Sequence, residues 1–195
     1  MMNKTHIIRD AIILFAITLI AGLLLGMVHE ITLDPIAKAK ADSAAKTYRE
    51  VMSDADSFEA ADELTQAAAE CNADPEIQKF GRNVTVDDAL YARNKDGEII
   101  GFIVISSSKG YGGPVETAAG IKNDGTITGL GFISINETPG LGMKAKEPSF
   151  IAQFSGMKDT SQLQAISGAT STSKAVRGAV DAAKYFFDNY TTDRR

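Results

Sequence analysis

Residues 90–106 read LYARNKDGEIIGFIVIS. Runs rich in β-branched and aromatic side chains stand on either side of N-K-D-G (94–97). A glycine closing a short polar turn between two such runs signals a hairpin. The device returns in VETAAGI (115–121), the turn K-N-D-G (122–125) and TITGLGFISI (126–135). Further on, FIAQFSGM (150–157) reads as a short helix. A final helix is expected from about Ser171 to Asn189, with Val176, Ala179, Val180, Ala183 and Phe187 on one face. Hairpins flanked by helices predict an α+β domain with a mainly antiparallel sheet.

Working upstream, residues 11–28 read AIILFAITLIAGLLLGMV, 18 residues without a charge. At about 1.5 Å per residue they span roughly 27 Å, close to the hydrocarbon thickness of a bilayer. A cleavable signal peptide would carry a shorter apolar region and a small-x-small site after it. The run exits instead into HEITLDP (29–35), so the reading is an uncleaved transmembrane helix. Lys4 and Arg9 precede the segment, and Glu30 and Asp34 follow it. The positive-inside rule then expects a cytoplasmic N-terminus and an extracytoplasmic domain.

Pro35 suits the first position of a new helix, with Asp34 as its cap. That helix would place Ile36, Ala39, Ala44, Thr47, Tyr48 and Val51 on one face and carry the chain away from the bilayer. Residues 53–88 are acidic and alanine-rich, with a helical stretch near 59–71 interrupted by Asp74-Pro75 and Gly81. Cys71 reads as a small core residue. The expected organisation is a cytoplasmic N-terminus at 1–10, a transmembrane helix at 11–28, a helical stalk and variable region at 29–88, and a core domain at 89–195.

Composition removes several chemistries. The net charge of the 195 residues is −5; the first 28 carry Lys4, Arg9 and Asp10, a net +1, which leaves −6 for the rest. An acidic domain repels a phosphate backbone, so no nucleic-acid partner is expected. With the single cysteine Cys71, and both histidines, His6 and His29, flanking the apolar segment, the domain holds no cysteine-ligated cluster, c-type haem or histidine-rich zinc site. A histidine-based triad is equally unavailable. No metal ligands and no catalytic residues are assigned; redox chemistry here would need an organic cofactor.

The stretch SGATSTSK (167–174) stands at the front of the last helix and bears three readings. Thr170, Ser171 or Thr172 can serve as ordinary N-caps. Ser171 and Lys174 match S-x-x-K, a serine nucleophile one helical turn from its lysine, although no S-D-N or K-T-G follows. Finally, a helix N-terminus offers free N–H groups and partial positive charge to a phosphate. Gly168 and Ala169 would let the phosphate approach the backbone, Lys174 adds charge, and the Thr170 hydroxyl would point into the site.

Three segments together resemble a known family. SGAT (167–170) looks like the (S/T)GAT flavinylation motif of FMN-binding domains. KGYGGP (109–114) resembles that family's GYGGP, and NETPGLG (136–142) its ETPGLG loop. The apolar anchor followed by HEITLDPIA resembles the G subunits of Rnf complexes, ion-translocating ferredoxin:NAD oxidoreductases. The C subunits of sodium-pumping NADH:quinone reductases are close relatives. The resemblance implies FMN linked through its phosphate to Thr170, with Ser167, Gly168 and Ala169 in the tight turn and Ser171 and Thr172 offering N–H groups to the phosphate. Glu137, Thr138, Leu141 and Gly142 would line the isoalloxazine ring, with GYGGP as structural support. Residues 89–195 would then be the FMN-binding core. The implied role is electron relay between the other subunits of a membrane complex, after maturation by a flavin transferase. The absence of a G-x-G-x-x-G after a strand fits a subunit that itself binds neither ferredoxin nor NAD. Gln164 departs from the family pattern, which commonly has an aspartate a few residues before the threonine. A flavin-free, membrane-tethered module for assembly or sensing is the alternative.

Overall fold

The computed structural model describes residues 4–192 of the chain. It divides into two compact units at Ser43/Ala44. The first unit is helical and belongs to α1 (Lys4–Val51). Each large apolar side chain from Ile8 to Leu33 on this helix is exposed. Such a surface has no aqueous partner to offset it, and this is the one helix among the described residues long and apolar enough to cross a membrane. A new helix beginning at Pro35 is not observed: Pro35 lies inside α1. Its ring nitrogen has no hydrogen to give the carbonyl four residues back, yet the helix continues through it.

The second unit is an α+β domain. Five antiparallel strands, β1 (Ser57–Ala60), β2 (Thr85–Arg93), β3 (Ile99–Lys109), β4 (Pro114–Lys122) and β5 (Ile127–Ile135), lie in sequential order. Both sequence-read turns close as expected. Gly97 and Gly125 sit at φ 81°, and their N–H groups donate to Asn94 O at 3.0 Å and Lys122 O at 2.8 Å.

The long apolar run in β3 has a simple cause. Phe102 and Val104 enter the main core, while Ile103 and Ile105 enter a second cluster on the other face with Val51, Met52, Ala92 and Ala118. A strand covered on both sides is apolar at successive positions rather than alternating. The second cover is the C-terminal end of α1. Thr128 Oγ1 donates to Val51 O at 2.5 Å, and Gly131 has no side chain where the Thr47 methyl group packs. The stretch 44–51, read from sequence as part of a stalk, therefore packs on the sheet.

Over the main core lie α2 (Asp62–Ala73) and α4 (Thr170–Tyr190). Leu64, Ala67, Ala68 and Cys71 of α2 are buried at helical spacing. The helix expected from residue 59 starts later because 57–60 form β1, where Phe58 pairs with Ala92 and Glu59 meets Arg93 Nε at 2.7 Å. On α4 the five residues assigned to one face are all buried, and Phe187 meets Phe102 edge-on with ring centres 5.7 Å apart. The helix expected at 150–157 is shorter: α3 (Pro148–Ile151) passes into a 3₁₀ turn at Ala152–Phe154 and ends before Gly156 at φ 82°.

Candidate functional site

The N-terminus of α4 has no side-chain cap. Its N-cap position is Ala169, whose side chain carries no oxygen to accept a cap bond, and Thr170, Ser171 and Thr172 lie inside the first turn. The capping reading of these three hydroxyls therefore fails. The turn ahead of the helix is closed by Ser173 instead. Its Oγ accepts from Ile166 N–H at 2.8 Å and donates to Ala169 O at 3.0 Å. Ala169 N–H also returns to Ile166 O at 3.0 Å, and Gly168 takes φ 77°, a conformation that favours glycine. Thr170 is left exposed at the start of the helix. Sequence reading missed Ser173; its position four residues after Ala169 is the one local signal that could have found it.

Two clefts meet at Thr170 and Ser171, which line both. The smaller, about 240 Å³, is lined by Tyr111, Glu137, Thr138, Leu141, Gly142, Gly168, Ala169, Thr170, Ser171 and Thr172. Of the residues assigned from sequence, Ser167 alone does not line it and is exposed in the turn. Tyr111 is the addition. The loops are held in close contact: a methyl group on Gly142 would lie 2.6 Å from Thr172 Oγ1 and 2.7 Å from Glu137 Cβ. Thr172 is itself buried. Gly168 passes beneath Leu141, whose Cδ2 would stand 3.4 Å from a Cβ there.

Glu137 is 6% exposed, and its carboxylate is occupied by the neighbouring loop. Oε1 accepts from Tyr111 N–H at 2.8 Å and Oε2 from Gly112 N–H at 3.2 Å. A buried carboxylate needs such donors to offset its desolvation. Glu137 thereby ties the ETPGLG loop to the GYGGP loop.

The larger cleft, about 880 Å³, is lined by five cationic side chains, Lys79, Arg82, Lys109, Lys174 and Arg177, with Asp181 among them. Arg82 spans the junction. Its Nη2 donates to Gly110 O and to Ser171 Oγ, each at 2.9 Å. Sequence reading missed Arg82, which lies 89 residues from Ser171 in the chain. Burial pushes the Asp181 carboxyl up, against the pull of Thr160 and Arg177. Arg177 Nε lies 3.5 Å from Asp181 Oδ2 and 3.1 Å from Thr160 Oγ1. The S-x-x-K pairing finds no geometric support, because the described partner of Ser171 Oγ is Arg82 and Lys174 is exposed. Gln164 is also exposed; its N–H donates to Gln153 Oε1 at 2.9 Å.

An antiparallel sheet under α4, with two loops gathered at the helix start, defines the class: residues 110–184 match the FMN-binding domain. That span contains every residue assigned to the site. Residues 1–51 match the RnfG N-terminal region. The G subunit of the proton-translocating ferredoxin:NAD(+) oxidoreductase complex of Clostridium ljungdahlii is 31% identical over 90% of this chain and 92% of its own. Its counterpart in the sodium-translocating complex of Acetobacterium woodii is 29% identical over 94% and 92%. The G subunit of the ion-translocating oxidoreductase complex of Methanosarcina acetivorans is 27% identical over 94% and 95%. The chain belongs to this family of ion-translocating oxidoreductase complex G subunits (RnfG). The crystal structure of Shewanella oneidensis NqrC superposes with a TM-score of 0.44 over 53% of this chain and 60% of that one, at 19% identity.

Proposed function

We propose that this chain is the FMN-carrying electron-transfer subunit of a membrane-bound ferredoxin:NAD oxidoreductase complex, with FMN held as a phosphoester on Thr170. The observation that carries this is the position of Thr170: an exposed hydroxyl on an uncapped helix N-terminus, where a cationic cleft meets a smaller cleft edged by exposed apolar side chains.

The residues fit the group. First-turn N–H groups of α4 and the Arg82 guanidinium suit a phosphate. The small cleft offers Leu141 to an apolar ring and the Thr138 hydroxyl and the loop amides to polar ring atoms. Bound FMN supplies one- and two-electron redox chemistry. Ser167, Gly168 and Ala169 fix the turn that presents Thr170, and Ser173 locks it. Attachment needs an activated donor, a flavin phosphoanhydride supplied by a flavin transferase. Thr170 Oγ attacks the flavin phosphorus; its bond to phosphorus forms as the anhydride P–O bond breaks. The hydroxyl proton passes to a base on the transferase, and the leaving phosphate departs with the bridging oxygen.

A covalent bond suits a domain facing outward, where free FMN is scarce and a reversible site would empty as ligand falls below its dissociation constant. The charges around residues 11–28 support a cytoplasmic N-terminus with the FMN domain outside. Other subunits of the complex are the electron-transfer partners. Co-expression with a flavin transferase tests the proposal. The intact mass should exceed the polypeptide by one esterified FMN, and the denatured band should fluoresce yellow-green. Unmodified polypeptide under these conditions would overturn it.

A further inference from the structure

From Ala44 onward, the large apolar side chains are buried or half-buried with two exceptions among the described residues. Tyr111 is 77% exposed and Leu141 is 46% exposed. Both line the smaller cleft. One exposed apolar residue needs no explanation; two that line the same cleft beside Thr170 do.

Moreover, the backbone carrying Tyr111 is held firmly. Glu137 accepts both the Tyr111 and the Gly112 N–H groups, Arg82 donates to Gly110 O, and Gly110 N–H closes the turn on Gly113 O at 2.8 Å. Gly110 has no side chain where the Glu137 carboxylate sits. A spacer turn on a surface needs no buried carboxylate beneath it. An aromatic ring presented in a set place does, because a fixed backbone reduces the conformational entropy lost on binding.

We infer that Tyr111 is a wall of the flavin-ring site, packing its aromatic face on the isoalloxazine as Leu141 packs its aliphatic one. This rests on the FMN reading above and adds to it a residue that holds the ring rather than the phosphate. The occupant follows from chemistry. A planar, electron-poor heterocycle tethered at Thr170 is within the same cleft, and an electron-rich phenol favours such a face.

The test uses the whole flavinylated chain in detergent, with Tyr111→Phe and Tyr111→Leu beside the unmodified sequence. Intact mass gives covalent FMN per chain, and melting temperature reports folding. Native flavin emission and iodide quenching are then measured per covalent FMN. A stacked phenol is oxidised by excited flavin and quenches it, whereas phenylalanine is not. Emission should therefore rise severalfold in both variants. Iodide access should rise in Tyr111→Leu and stay low in Tyr111→Phe, which keeps the ring. Emission and iodide access equal to the parent's in both variants would overturn the inference and leave Tyr111 as a contact for a protein partner. A parent chain without added FMN mass would instead overturn the covalent reading and this inference with it.

Discussion

The two clefts that meet at Thr170 and Ser171 are built of different materials. One is wide and carries five cations from 3₁₀, loop, strand and helix positions scattered from Lys79 to Arg177. The other is small, and its rim carries the two exposed large apolar side chains among the domain's described residues. A ligand with an anionic end and a planar apolar end would use both, one on each side of the Thr170 hydroxyl. The difference also shows how each was assembled. The small cleft comes from two loops and one helix start, whereas the cationic one depends on long-range packing.

The largest test of this contrast is Thr170→Ala, which should abolish covalent FMN entirely by intact mass. Thr170 is exposed, so stability should stay within about 0.5 kcal/mol of the parent. Retention of FMN would place the bond elsewhere. Next in size, Arg82→Ala removes the guanidinium beside Ser171. Loss of a charge-assisted hydrogen bond, about 1.5–3 kcal/mol, should slow flavinylation by about tenfold to a hundredfold in a gel-fluorescence time course. An unchanged rate would take the cationic cleft out of phosphate binding.

On the other side, Glu137→Ala strands the Tyr111 and Gly112 N–H groups. It should cost about 1–3 kcal/mol in denaturant unfolding, and Glu137→Gln, which keeps an acceptor, should cost less. Ser173→Ala unlocks the 166–169 turn and should cost about 1 kcal/mol while lowering FMN incorporation. Incorporation at the parental rate would show that the turn holds itself.

The smallest effect is a control away from both clefts. Asp74 accepts from Tyr185 OH at 2.6 Å and from Tyr190 OH at 3.2 Å. The hydrogen bond to Asp74, then burial, pushes the Tyr185 phenol from its ordinary 10.0 to about 12. A phenol raised in the folded state stabilises fully below its unfolded value and loses that contribution as pH rises. Stability should therefore decline between pH 10.0 and about 12, and less steeply in Tyr185→Phe, with FMN content unchanged.

What could be read from the sequence was local. Gly97 and Gly125 mark the two hairpins because a left-handed turn residue favours glycine, and Val176 to Phe187 mark a buried helix face by spacing alone. SGAT and ETPGLG pointed to their own neighbourhood. The rest depended on contacts far apart in the chain. β1 has four residues, SFEA, with a burial pattern too weak to show alternation; its partner strand supplies the pairing. Continuation of α1 through Pro35 runs against the local preference of proline. Arg82 carries no motif, and its contact with Ser171 exists only once the sheet and α4 have packed. Ala169 as an uncapped helix start was hidden by the hydroxyls that follow it, since those residues usually cap.

Tandem mass spectrometry of the tryptic peptide 159–174, from whole protein made with its flavin transferase, tests the bond at the junction of the clefts most directly. The expected result is a peptide heavier by FMN less water, with fragment ions that place the addition on Thr170. An unmodified peptide, or FMN on Ser167, Ser171 or Thr172, would contradict it.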